Sequence, residues 1–102
     1  MEMNAPKIEW RYDWNFAFGS HPINDEYRAE YMFYDCDFGY GPCFRCLRVI
    51  IKSDEDINKI GFDKSLEIGT YIPNECEAEL ACETDLKDLL EKSKTATNIT
   101  QL

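Results

Sequence analysis

The chain has 102 residues, which is enough for one domain with a single core and too few for separate catalytic and substrate domains. Apolar residues make up 44% of it and aromatic residues 14%, which excludes the composition typical of disordered chains. Eleven Lys and Arg stand against twenty Asp and Glu, and the resulting net charge of −9 disfavours direct binding to nucleic acid and favours basic surfaces.

The N-terminal residues and the cysteine content both indicate a reducing compartment. MEMNAPKIEW contains no apolar signal-peptide segment, and no apolar run approaches the length of a membrane span. Five cysteines are an odd number, which favours reduced thiols over a disulfide framework. We therefore expect a cytoplasmic protein, in a cell or delivered there by a virus, that does not bind membranes.

The first predicted element is a long strand over residues 7–18. In KIEWRYDWNFAF the aromatic and aliphatic side chains fall at every second position, which is the period of a strand with one buried face. GSHPIND, residues 19–25, then carries the Gly, Pro, Asn and Asp that are typical of a loop. One face of this strand should be core and the other solvent, as in an antiparallel sheet.

The next two predicted strands form a hairpin. YRAEYMFYDCDF, residues 27–38, and CFRCLRVIIK, residues 43–52, are rich in aromatic and β-branched residues. Gly39-Tyr40-Gly41-Pro42 between them has the composition of a turn. The chemistry of the turn and of both flanking segments therefore predicts antiparallel pairing of 27–38 with 43–52.

The second half begins with a short helix and a fourth strand. Ser53 and Asp56 resemble a capping box, so a helix over 54–60 is predicted, with Gly61 ending it. Residues 66–72 form the fourth predicted strand. A second helix should run from Thr84 or Asp85 to about Lys94, with residues 95–102 as a flexible tail.

The segment ECEAELACE, residues 75–83, fits two structures. As a strand it separates all four glutamates from Cys76, Ala78, Leu80 and Cys82, although Ala81 falls on the glutamate face, whereas as a helix the apolar residues form no stripe within the segment. Glu, Ala and Leu nevertheless favour a helix, and Asn74 with Glu77 could cap one. We favour a fifth strand, and so a single α+β domain over 1–94: mainly an antiparallel sheet of about five strands, with helices near 54–60 and 85–94.

A metal centre is the first chemistry that the cysteines suggest. The candidate ligands are Cys36, Cys43, Cys46, Cys76 and Cys82. Zinc needs four converging ligands, but the C-x-x-C pair continues into a strand, where residues three apart point to opposite faces. Were the hairpin register to place Cys36 opposite Cys46, those two thiols could oxidise in air. We expect core cysteines and no cofactor, with a small zinc-binding or thiol protein as the alternative.

Catalysis has little support in the sequence. His21 is the only histidine and precedes Pro22 in a predicted loop, with no local signature of a nucleophile and an orienting acid. The glycines at 39 and 41 precede a strand and lack the Lys-Ser/Thr of a phosphate-binding loop. We therefore expect a non-enzymatic protein.

The acidic residues of the second half are the leading functional candidates. Glu75, Glu77 and Glu79 on one strand face would lie about 7 Å apart, and their mutual repulsion favours a functional surface over a merely solvated one. The predicted partner-binding residues are Glu75, Glu77, Glu79, Glu83, Asp85, Asp88, Tyr34 and Tyr40. The chain is similar in size and charge to bacterial toxin-immunity proteins and phage-encoded inhibitors of host defence, and this predicts an acidic inhibitor that covers a basic nucleic-acid-binding or catalytic surface of a partner, such as a nuclease toxin.

Overall fold

The strands form one antiparallel sheet in which every strand pairs with its neighbour along the chain. The computed structural model describes residues 6–37, 42–95 and 98–99. The strands are β1 (Arg11–Asp13), β2 (Phe16–Pro22), β3 (Tyr27–Asp37), β4 (Pro42–Lys52) and β5 (Leu66–Ile72), and the helices are α1 (Ile57–Ile60) and α2 (Glu75–Ser93). The order across the sheet is β1-β2-β3-β4-β5. The predicted α+β class, with a five-stranded antiparallel sheet, a short helix and a C-terminal helix, is confirmed.

The predicted strand over 7–18 is wrong as a single strand. The chain turns back at Trp14 and Asn15, so that β1 and β2 pair with Asp13 opposite Phe16. Trp14 has a φ of 55°, at a hairpin position where Gly is usual. A two-residue turn leaves a period-two pattern uninterrupted, and the pattern therefore concealed the break.

The predicted hairpin of the second and third strands is confirmed. β3 and β4 pair antiparallel over their full lengths, from Tyr27 opposite Lys52 to Asp37 opposite Pro42. In this register Cys36 lies opposite Cys43, and Phe33 lies opposite Cys46. The alignment of Cys36 with Cys46 considered from the sequence is therefore wrong by three residues.

The short helix is where the sequence places it, with a different cap. α1 lies inside the predicted range 54–60, and its N-cap is Asp56, whose side chain accepts a hydrogen bond from the backbone N–H of Asn58. Gly61 ends the helix at a φ of 73°, a conformation that glycine adopts without strain. Gly61 therefore marked the end of the helix correctly, whereas Ser53 did not mark its start.

The predicted fifth strand at 75–83 is wrong, because this segment is the first half of α2. Asn74 caps the helix and accepts a hydrogen bond from the backbone N–H of Glu77 at 2.9 Å. The buried side chains of α2 are Ala78, Cys82, Leu86 and Leu89. Their spacing of four, four and three is that of a helical stripe, and only its first two members lie within 75–83. The stripe becomes visible only when the segment is extended into the predicted C-terminal helix.

The core lies between α2 and one face of the sheet. Tyr31, Phe33 and Cys46 of the sheet are buried in one cluster with Leu86 and Leu89 of the helix. The N-terminal segment adds Ile8 and Trp10, which approach the backbone of Gly19 so closely that a Cβ there would clash with Ile8. On the opposite face, Phe62 from the loop after α1 lies 6.4 Å from Phe18, ring centroid to ring centroid.

Candidate partner-binding surface

The helical geometry of α2 redistributes the glutamates that the strand prediction placed in one row. Residues four apart on a helix lie on the same side, so Glu75, Glu79 and Glu83 follow one another along one flank. Glu77 is two residues from Glu79 and lies on nearly the opposite side, because each residue turns the helix by about 100°. The predicted face of alternate glutamates is therefore wrong, and its members have different surroundings.

Two glutamates of this flank bind the N-terminal part of the chain. The Tyr12 hydroxyl donates a hydrogen bond to the Glu79 carboxylate, and the backbone N–H of Ile8 donates to Glu83 Oε2 at 3.4 Å. Burial and the hydrogen bond to Glu79 raise the pKa of Tyr12 well above its ordinary value. These carboxylates therefore hold β1 and the preceding segment against α2.

Asp85 lies on the other flank of α2, where it forms an internal ion pair. Arg48 Nη1 donates to Asp85 Oδ1 at 3.0 Å and to Oδ2 at 2.9 Å, and the Tyr31 hydroxyl donates to Oδ2 at 2.8 Å. Arg48 is buried, with 6% of its surface exposed. Burial, with a further contribution from the Asp85 carboxylate, raises the pKa of Tyr31. The structure thus gives Asp85 an internal role that the sequence did not indicate.

The remaining predicted residues lie apart from one another. Glu77 is exposed, and Asp88 forms an exposed ion pair with Lys92 one turn along α2, at 2.9 Å. Tyr34 lies on the face of the sheet that points away from α2, where Arg45 Nη1 donates to its hydroxyl oxygen at 2.8 Å. Tyr40 lies outside the described residues. The predicted set therefore does not form one continuous surface.

A different group of residues comes together where the β1–β2 turn meets the start of α2. A cavity of about 100 Å³ opens there, and its lining is aromatic and acidic: Tyr12, Trp14, Asn15, Phe16, Ala17, Phe33, Asp35, Phe44 and Glu75. Trp14 is 96% exposed, Tyr12 52% and Phe16 41%. We call Tyr12, Trp14, Phe16, Asp35 and Glu75 the hairpin-end surface.

The two carboxylates of the hairpin-end surface are free to meet a ligand. Asp35 and Glu75 are exposed, and neither carboxylate makes an ion pair or hydrogen bond with another described residue. Of this surface, the sequence predicted only Glu75. The twelve-residue length of the predicted first strand was the available signal, since strands average five or six residues and a break was therefore to be expected.

A second, charged cavity lies beside the N-terminal segment and β2. It has a volume of about 530 Å³ and is lined by Lys7, Glu9, Trp10, Arg11, Gly19, Ser20, His21, Pro22 and Glu30. His21 Nδ1 lies 2.8 Å from the carbonyl oxygen of Pro22. Glu30 is buried and accepts from Arg28 Nε at 3.1 Å, and its pKa is raised because burial outweighs the attraction of Arg28.

The cysteines form two pairs and one exposed thiol. Cys36 and Cys43 lie opposite each other with 3.9 Å between their Sγ atoms, while Cys46 and Cys82 are buried in the core between β4 and α2. Hydrogen bonding to Cys46, together with burial, raises the pKa of Cys82, and hydrogen bonding to Cys82 lowers that of Cys46. Cys76 is exposed, so its predicted place in the core is wrong. Across residues 6–37, 42–95 and 98–99, no group of three or more His, Cys, Asp or Glu residues could hold a metal ion.

Comparison with known proteins finds no match for this chain. No protein-family model, curated protein or solved structure gives a significant match. Among the helices that the structure describes, none has both the length and the apolar composition needed to cross a lipid bilayer. A functional proposal for the chain therefore depends on its own surface chemistry.

Proposed function

We propose that this chain is a non-enzymatic protein-binding module of the cytoplasm, an acidic inhibitor or immunity-type protein that covers a basic surface of a partner. The partner class is a nuclease toxin or a nucleic-acid-binding defence protein, whose functional surface is rich in Lys and Arg because it must bind phosphate. The observation that carries the proposal is the hairpin-end surface, where exposed aromatic rings stand beside two unpaired carboxylates.

The exposure of Trp14 is the first argument for an interface. Trp14 occupies a strained turn position and leaves 96% of its surface in solvent, so it adds little to the core. Trp and Tyr are enriched among the residues that dominate binding energy at protein interfaces. Three partly or fully exposed aromatic side chains at one end of the sheet therefore support a role in binding.

The unpaired carboxylates indicate which partner chemistry fits this surface. Asp35 and Glu75 line the cavity with Tyr12 and Trp14, while the Phe16 ring packs against Phe18 and Tyr34. A Lys or Arg side chain in that position would meet both carboxylates and aromatic faces, and a cation over such a face contributes about 0.5–2 kcal/mol. The cavity volume of about 100 Å³ is suited to one such side chain.

The net charge adds long-range attraction. At −9 the molecule attracts a basic partner before contact, and this raises the association rate more than the final affinity. Exposed Glu77 on α2 belongs to this long-range contribution, since it lies outside the cavity. Glu77 thus acts mainly through its charge, whereas the hairpin-end surface, which includes Glu75, supplies the contacts.

The experiment compares capture of the partner by a surface variant and a charge-matched control. Wild-type protein, Trp14→Ala/Glu75→Lys and Asp63→Lys are used as baits in lysate from the encoding organism or its host. Asp63 is exposed in the loop after α1 and does not line the cavity, so its reversal makes the same charge change elsewhere. We expect a basic nucleic-acid-binding protein to be captured by wild type and control and lost with the surface variant.

Binding kinetics with the captured partner separate the two contributions. Trp14→Ala should raise the dissociation rate tenfold or more, on the order of 1.4 kcal/mol, because an anchoring ring is lost. Glu75→Lys should mainly slow association at low salt. Capture of the same partner at equal strength by wild type and by the double variant would exclude this surface as the binding site.

A further inference from the structure

Strands β3 and β4 bring two thiols face to face near the end of their hairpin. Cys36 and Cys43 are directly opposite each other in the register, and their Sγ atoms are 3.9 Å apart. Cys43 Sγ also lies 3.3 Å from the carbonyl oxygen of Cys36. Cys46, the other member of the C-x-x-C sequence, instead donates from Sγ to the carbonyl oxygen of Ala78 on α2, at 3.7 Å. The sequence motif and the spatial pair are therefore different pairs of cysteines.

The backbone geometry is already suitable for a bond between these sulfurs. Directly opposed residues of antiparallel strands have Cα atoms about 4.5–5.5 Å apart, which falls within the range of about 4.4–6.8 Å found for disulfides. A disulfide would bring the sulfurs to about 2.05 Å, a closure of roughly 2 Å shared by two side-chain rotations. The strands need not separate, and the next pair on the same face is joined by the hydrogen bond from Arg45 to Tyr34.

Access distinguishes this pair from the other thiols. Cys36 is half-buried and keeps part of its surface in solvent, while Cys43 is 6% exposed and lies opposite it on β4. Cys46 of β4 and Cys82 of α2 are both completely buried between the sheet and the helix. Cys76 is exposed but has no thiol opposite it among the described residues. Of these cysteines, Cys36 with Cys43 therefore combines access with a partner thiol.

We propose that Cys36 and Cys43 form a redox site that small-molecule disulfides, such as glutathione disulfide, oxidise to an intramolecular disulfide. The Cys36 thiolate attacks one sulfur of the reagent, forms a mixed disulfide and releases one reduced thiol. The Cys43 thiolate then attacks Cys36 Sγ of the mixed disulfide and releases the second. Overall, two protein thiols are oxidised to one disulfide and one small disulfide is reduced to two thiols. The two protons that the protein thiols lose are taken up by the two thiolates released from the reagent.

The surroundings of Cys36 slow the oxidation of this cysteine pair at neutral pH. Burial and the hydrogen bond with Cys43 raise the pKa of Cys36 to about 11, so little of it is thiolate at pH 7. The oxidation rate should therefore rise about tenfold for each pH unit between 7 and 9, because the thiolate is the attacking form. Such a site responds to a sustained oxidising environment and stays reduced through brief exposure.

The test uses folded protein carrying Cys76→Ser, so that the exposed thiol does not react. This protein is incubated with glutathione disulfide, its free thiols are then alkylated, and intact mass and peptide maps are recorded. We expect the loss of two hydrogen atoms, a peptide cross-link between Cys36 and Cys43, and reversal by dithiothreitol. Adding Cys36→Ser or Cys43→Ser should abolish the two-hydrogen loss, and Cys36 in the Cys43→Ser protein should retain glutathione as a stable mixed disulfide.

Three results would each overturn the proposal. In the first, Cys36 and Cys43 stay alkylatable in glutathione disulfide while the Cys76 thiol of the wild-type chain reacts. In the second the cross-link joins Cys46 to Cys82, and in the third Cys36 and Cys43 carry separate glutathione groups. Since the assay contains no partner protein, its failure would leave the proposed binding function unaffected.

Discussion

At the residue scale, Asp85 shows how strongly position determines the role of an acidic side chain. It meets Arg48 from β4 and Tyr31 from β3, and so joins two strands to α2 through one carboxylate. Asp88, three residues later, forms an exposed ion pair with Lys92. An exposed ion pair contributes little to stability, whereas removal of one member of a buried pair leaves the other charge uncompensated.

Substitution of these two aspartates should therefore have very different effects. Asp85→Ala should lower the free energy of unfolding by about 3 kcal/mol, the lower end for a broken buried pair because Asp85 keeps 19% of its side chain exposed. Asp88→Ala is the matched control on the same helix and should change it by less than about 1 kcal/mol. Urea denaturation of both variants measures the difference, and equal losses would contradict an internal role for Asp85.

At the element scale, α2 shows how a local cap and a long-range contact decide a segment with two possible structures. The alternation of glutamates in 75–83 fits a strand, but the Asn74 side chain binds the N–H of Glu77 and starts a helix. Ala78, Cys82, Leu86 and Leu89 then pack on the sheet as one stripe. Burial of this stripe outweighs the alternation, because in the helix Glu75 and Glu77 remain exposed and Glu79 and Glu83 accept hydrogen bonds.

The cap supplies a direct test of where this helix begins. Asn74→Ala should lower the free energy of unfolding by about 1 kcal/mol, since the N–H of Glu77 loses its acceptor. Asn74→Asp is the control, because aspartate accepts the same hydrogen bond and its charge favours a helix N-terminus. Chemical denaturation would contradict the cap if alanine and aspartate were equivalent at this position.

At the scale of the whole molecule, the charge is strongly unbalanced. Eleven basic residues face twenty acidic ones, and several of the cations, such as Arg48 and Arg28, are engaged in ion pairs. The excess negative charge repels itself in the compact state, over distances that salt shortens to about 10 Å at 0.1 M. The negative charge that we propose attracts a basic partner should therefore also lower the stability of the free protein.

Added salt should consequently stabilise this fold. Between 10 and 300 mM sodium chloride we expect the Tm to rise by about 5 °C, equivalent to roughly 1 kcal/mol for a domain of this size. The control is Asp54→Asn/Asp63→Asn/Glu91→Gln, which removes three exposed negative charges away from the hairpin-end surface. This triple variant should have a higher Tm than wild type at low salt, and its Tm should rise less as salt is added. A fall of the wild-type Tm with added salt would refute the repulsion argument.

The sequence by itself determined the features that depend on neighbouring residues. Alternation and turn chemistry predicted the β3–β4 hairpin, and Gly61 marked the end of α1. The hydrophobic pattern also predicted the α+β class. In each case the deciding interactions lie within a few residues of one another or across one short turn, so the pattern of residue types is sufficient.

The tertiary structure alone decided what depends on distant residues. It brought Arg48 to Asp85, set Cys36 opposite Cys43, made 75–83 part of a helix, and placed Trp14 beside Glu75. Each of these contacts follows from register or from packing between elements, and shifting the register by one residue would turn every side chain to the other face. Residue types along the chain predict which elements form, whereas the pairing of their faces creates the ion pair, the dithiol and the hairpin-end surface.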